Sequence, residues 1–287
     1  MCSNVILTLY EKSIIPTLIH NCESWTLNKT EETQIDKIAI KALKRLFSLP
    51  TTTPSAAILH NFGLLFATQV VNKMQFMYLH KILNRNIDHW TQKILLHLDT
   101  LNLGWAKNIR TNLIEYQLEY DWSDIKQKTK GEWKKIVSEA VDKYNKTKLL
   151  KHCTTTTNNT TRINTKTKGI HNELQLPEYI RQPKREIANG SKQRAKTLIL
   201  ARHGMLECGT NYKGSIPEIC RHCKKRDDEN HRLNECSVLN STNWANSDQK
   251  IDYNDIYSDN DAKLTSLIGK LEKIWEFQYA NGRMKRK

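Results

Sequence analysis

Residues 220–236 read C-R-H-C-K-K-R-D-D-E-N-H-R-L-N-E-C, a spacing of Cys220-x2-Cys223-x7-His231-x4-Cys236. Two cysteines two apart can grip one ion from a tight turn. A His and a Cys five positions apart can close a tetrahedron from the start of a short helix. Three thiolates and one imidazole make a closed four-coordinate set that suits one structural Zn2+ and leaves no position open for a catalytic water. A segment this short has no core of its own, so the metal would have to supply its folding energy. His222 and His203 are alternative imidazoles. Cys2, Cys22, Cys153 and Cys208 show no ligand spacing. Basic residues crowd the loop: Arg221, Lys224, Lys225, Arg226 and Arg232 within it, with Lys213 upstream.

Outward from the loop, composition points the same way. The chain has 287 residues, only 38% hydrophobic, and carries a formal net charge of +15. Its pI is about 9.4 and its mean hydropathy is -0.64. Such a balance favours a polyanionic partner. The charge is uneven: residues 151–200 hold ten Lys/Arg against three Asp/Glu. No apolar run reaches the eighteen or so residues of a membrane span. The first residues lack the basic region and cleavage site of a signal peptide. Seven cysteines, an odd number with zinc-like spacing, fit a reducing compartment. These features lead us to expect an intracellular protein of nucleus or cytoplasm, neither secreted nor membrane-bound.

Periodicity organises the rest. Residues 5–25 are apolar and partly β-branched, compatible with a helix broken at Pro16 or a short strand pair. From Thr30 to Leu49 a helical stripe runs through Ile35, Ile38, Ala39, Ala42 and Leu46. Thr53 and Pro54 then read as N-cap and first position of the next helix, which Gly63 can close. A longer helix from about Leu65 to Asn84 is apolar on too many sides for a surface element. Trp90–His97 and Trp105–Leu118 look like two more. Thr129-x-x-Glu132 resembles a capping box ahead of Trp133, Ile136, Val137, Ala140 and Tyr144. Trp105, Trp133 and Tyr144 are read as packing residues rather than base-stacking platforms. The Thr/Asn run at 154–161 is low-complexity and opens a basic linker. A helix around Ala195, Leu198, Ile199 and Met205 precedes the Cys/His loop. A last one, through Leu264, Leu267, Ile268, Leu271 and Trp275, comes after it.

The order of these pieces resembles a family. S-I-I-P-T-L-I-H-N-C-E-S-W-T-L at 13–27 looks like the "P-T-L-L-Y-G-x-E-x-W" segment just after the polymerase core in non-LTR retrotransposon reverse transcriptases, with His20 and Asn21 in place of Tyr-Gly. L-P-T-T-T-P-S-A-A-I-L at 49–59, G-E-W-K-K-I-V at 131–137 and L-I-L-A-R-H-G-M-L-E-C-G-T-N-Y-K-G at 198–214 resemble later pieces in the same order. The last is similar to the run that precedes their C-terminal CCHC zinc knuckle, and I-D-Y-N-D-I-Y-S-D-N at 251–260 resembles the stretch C-terminal to that knuckle. The resemblance implies a post-palm, thumb-like region plus knuckle, from a polyprotein that carries out target-primed reverse transcription. The family's paired aspartates for two magnesium ions are missing. Asp227-Asp228 lies inside the knuckle loop. The residues after Cys236 are too few for an endonuclease fold.

The sequence therefore leads us to expect a mainly α protein: a thumb-like helical bundle (1–150), a disordered low-complexity basic linker (151–185), then a helix with a small CCHC zinc-knuckle module and terminal helix (186–287). It is expected to bind RNA, DNA or both without catalysis of its own. The expected phosphate contacts are Arg181, Lys184, Arg185, Lys192, Arg194, Lys196, Arg202, Lys213, Lys224, Lys225 and Arg226. The rival readings are a protein-interaction module built on the same knuckle, an unrecognised metal-dependent nuclease, and an unexpressed remnant.

Overall fold

The structure, a computed structural model, describes residues 3–86, 88–154, 192–202, 218–220, 223–228, 230–236, 267 and 269. These residues are mainly helical. Among them no strand occurs, only an isolated antiparallel bridge between Ile219 and Arg226. No helix among them is long and apolar enough to cross a membrane. Two compact units share the chain. One gathers Met1–Leu7, Lys44–Gly63 and Cys153–Lys287; the other gathers Thr8–Leu43 and Leu64–His152. The units thus interleave along the sequence, where a single bundle over 1–150 was expected. The first residues of the expected linker, Lys151–Thr154, instead end a helix; the rest of it, and all but two residues of the expected last helix, Leu267 and Gly269, lie outside the described residues.

The N-terminal apolar stretch is helical as far as Leu18, with a turn and a short 3-10 segment (Cys22–Ser24) after it, which settles the choice between helix and strand pair. Helix α1 (Ser3–Leu9) widens into a π turn at Tyr10–Ile14 and continues as α2 (Ile15–Leu18). Pro16 falls in the first turn of α2, directly after the π turn, so it stands within the helical run rather than ending it.

In the second unit, α3 (Lys29–Leu46) is joined by α5 (Ala67–Leu83), α6 (Trp90–Thr100), α7 (Gly104–Glu115), α8 (Trp122–Gln127) and α9 (Lys130–Thr154). The core runs through Phe76, Leu79, Leu95, Ile109, Leu113, Ile125, Trp133 and Val137. Trp133 is fully buried and its indole N–H donates to the Phe76 carbonyl at 2.9 Å. Trp105 donates to the Glu23 carbonyl at 2.9 Å, and Tyr144 is half-buried against the ring of Tyr116. All three aromatics pack, as the helical spacing predicts. The Thr129/Glu132 box also forms: the Thr129 N–H and hydroxyl both donate to the Glu132 carboxylate at 2.8 Å. Buried Gln75 reaches back to the carbonyls of Cys22 and Trp25, fastening the E-S-W segment. Asp36 accepts from the Thr68 N–H at 2.9 Å and so caps the start of α5.

The phase of α3 differs from the sequence reading. Its buried residues are Ala39, Ile40 and Leu43, whereas Ile38 is 56% exposed. The two apolar stripes are about equally periodic, and only the neighbours select between them.

The first unit contains α4 (Ser55–Phe62) and α10 (Lys192–Arg202), which pack on each other. Phe47 and Phe62 stack with ring centroids 4.2 Å apart. Arg202 donates to the Asn61 amide oxygen at 3.2 Å across 141 residues. Gly63 closes α4 with φ 59°, as expected. Thr53 does not cap it: its hydroxyl is buried with no hydrogen-bond partner, and the Pro54 carbonyl accepts the first helical bond, from Ile58.

Candidate metal centre

Between Glu218 and Asp228 the backbone makes a tight loop. The Cys220 N–H donates to the Lys225 carbonyl (2.7 Å), the Lys224 N–H to the Cys220 carbonyl (2.9 Å) and the Asp227 N–H to the Glu218 carbonyl (2.8 Å). Lys224 adopts φ 63°, a left-handed conformation that carries a modest steric cost without glycine. That loop carries Cys220 and Cys223. A π turn at His231–Glu235 supplies the other half. Its closing bond runs from the Cys236 N–H to the His231 carbonyl at 2.8 Å, so residues five apart stand on one side. This is the physical reason for the x4 spacing between His231 and Cys236.

The four ligand atoms lie within 4.8 Å of one another. The sulfurs of Cys220 and Cys236 are 3.8 Å apart, those of Cys223 and Cys236 3.9 Å, and Cys223 Sγ is 3.0 Å from His231 Nε2. A tetrahedron of metal–sulfur bonds near 2.3 Å has sulfur–sulfur edges of about 3.8 Å. The two sulfur edges therefore have the length a bound ion requires, and both are far longer than a disulfide, about 2.05 Å. All three cysteines are free. Cys220, Cys236 and His231 are buried and Cys223 is half-buried. Desolvation pushes the Cys223 thiol up, but the Lys225 N–H, the neighbouring thiols and the Lys225 charge outweigh it and hold the group below its ordinary range. The donor set suits an ion that accepts soft sulfur and imidazole ligands. The residues fit a metal such as zinc, and no other such group occurs among the described residues.

Three acidic residues support the loop, and the sequence reading gave none of them a role there. Asp227 is buried and pairs with Arg232 through two bonds of 2.5 Å. Arg232 is thereby removed from the surface cations of the loop. Asp228 accepts from the His231 N–H at 2.8 Å and holds the entry to the π turn. Glu235 lies one turn after His231. The only sequence signal was their place between ligands, which does not specify a partner.

The expected phosphate contacts divide. Lys224, Lys225 and Arg226 are exposed on the loop, and Lys192 is half-exposed on α10. Lys196 and Arg202 are 5% and 2% exposed, with Arg202 bonded to Asn61, so neither presents its charge to solvent; this corrects their assignment. Both lie on a helix buried from Ala195 to Arg202, where the charge pattern alone suggested a surface. Arg181, Lys184, Arg185 and Lys213, together with the Arg194 side chain, lie outside the described residues. So do the alternative imidazoles His222 and His203. Cys22, which lacked ligand spacing, is buried with its thiol against the Met74 sulfur, and desolvation pushes that thiol up to about 11. Comparison with protein-family models, with curated proteins and with solved structures gives no match.

Proposed function

We propose that this chain is a zinc-stabilised, non-catalytic nucleic-acid-binding protein, built like the post-palm region and CCHC knuckle of a non-LTR retrotransposon reverse transcriptase. The observation that carries the reading is one loop with two sides. Inside, three thiols and an imidazole lie within 4.8 Å of one another, two of their sulfur–sulfur distances matching a metal tetrahedron. Outside, Lys224, Lys225 and Arg226 stand in solvent. One Zn2+, held by Cys220, Cys223, His231 and Cys236, fixes the loop and does no chemistry, because its shell is closed. The cations then meet phosphates of RNA or DNA, aided by the basic stretch of 151–200. Contacts of this kind bind every sequence nearly alike. An intracellular, reducing location keeps the thiols able to hold the ion.

The test is fluorescence anisotropy of the full chain with a labelled single-stranded RNA over a salt series. Neutralising about five phosphates gives a slope of log K against log salt of about -3.5. Replacing Arg181, Lys184, Arg185, Lys192 and Arg194 with Gln lowers affinity on all sequences and flattens the slope. Replacing Lys224, Lys225 and Arg226 has a smaller effect of the same kind. Weak binding at low salt that ignores both sets of substitutions would overturn the reading in favour of a protein partner for the knuckle. Primer extension or plasmid nicking with magnesium, abolished by one Asp→Ala change, would overturn its non-catalytic part.

A further inference from the structure

His231 is 1% exposed and offers Nε2 to the cluster, 3.0 Å from Cys223 Sγ. Its other nitrogen, Nδ1, is buried and has no hydrogen-bond partner. An imidazole that ligates through Nε2 carries its proton on Nδ1, and ligating histidines generally direct that N–H at a carboxylate, a carbonyl or a water. Here Glu235 Oε2 lies 3.9 Å from Nδ1, one turn further along the chain. The other oxygen of the same carboxylate is already engaged, accepting from the Asn230 amide at 2.5 Å. Asn230 precedes His231 and Glu235 precedes Cys236, so the clasp spans the two ligands of the π turn. At 3.9 Å the Nδ1 contact is longer than a hydrogen bond, and a small rotation about the Glu235 side chain would close it.

We propose that Glu235 is a positioning residue of the metal centre: anchored by Asn230, its carboxylate accepts the Nδ1–H of His231 and fixes the ring as an Nε2 ligand. The inference rests on the metal reading above and adds a residue to it. Zinc itself is the probe, with affinity measured on the full chain by competition with a chromophoric chelator. Glu235→Ala weakens zinc binding by about 10–100-fold. Glu235→Gln keeps an acceptor oxygen and recovers most of that loss. In a His231→Cys background, which offers a fourth thiolate and no imidazole to orient, adding Glu235→Ala leaves affinity unchanged. Equal losses in both backgrounds would make Glu235 a scaffold residue acting through Asn230 and would overturn the proposal. So would unchanged affinity after Glu235→Ala in the native background. If His231→Cys binds no zinc, the Gln variant decides: recovery supports the proposal and no recovery overturns it. A native chain that binds no zinc would instead remove the metal reading beneath it. Far-UV circular dichroism matching the native chain shows in each case that the helices are intact.

Discussion

Trp133 and Cys220 are both buried, yet different forces put them there. Around Trp133, side chains from α5, α6, α7, α8 and α9 exclude water over a large apolar area, and the indole N–H still finds a carbonyl. Around Cys220, the described buried residues are mainly ligands or charged groups: Cys236, His231, Asp227 and Arg232. One region is held by burial, whose strength grows with apolar area. The other gathers four donor atoms that could hold a metal ion, beside a buried salt bridge. On the zinc reading proposed above, such a loop can be short and can devote its outer surface to cations, because the ion supplies its folding energy. The corollary is that the two regions fail under different insults.

Removing the ion should separate them most sharply. Structural zinc contributes on the order of 10–16 kcal/mol in small domains. A strong chelator, or Cys236→Ser, should abolish zinc in native mass spectrometry, where the untreated chain shows one ion. The helical circular dichroism of the Trp133 unit should change little. A chelated chain that loses most of its helix would break the comparison, because the bundle would then depend on the metal.

The reciprocal experiment is Trp133→Ala. Deleting a fully buried Trp costs roughly 3–5 kcal/mol, so the urea midpoint of the helical signal should fall steeply. Zinc stoichiometry in the native state should stay at one. The smallest effect expected is that of Thr129→Ala, which removes the capping-box hydroxyl at the start of α9. It should lower stability by about 1 kcal/mol and leave zinc affinity untouched. A larger loss would mean that α9 holds more of the unit together than its cap suggests.

Legibility tracked how far apart the deciding residues lie. The four ligands fit within seventeen residues, so spacing alone named them. The Thr129/Glu132 box, the closing Gly63 and the extents of α5 and α7 are also local and were visible in the sequence. The buried face of α3 was not, because Ile38 and Ile40 offer competing stripes and only tertiary neighbours choose between them. Asp227 and Arg232 each looked like surface charge, since nothing in a sequence announces that two such residues five apart will bury each other. Lys196 and Arg202 misled because the helix that carries them is buried from Ala195 to Arg202. The bond from Arg202 to Asn61 joins residues that no local pattern connects.

That last bond also sets a timetable. Asn61 and Arg202 are separated by 141 residues. Ribosomes add roughly 5–20 residues each second, so α4 leaves the tunnel about 7–28 s before the helix it packs against. During that interval the surface of α4 that receives α10 has no native cover, and an apolar surface left open is where misassociation begins. The segment containing Phe47, Ile58 and Phe62 thus waits through that interval for its partner, and its open apolar surface is of the kind chaperones cover.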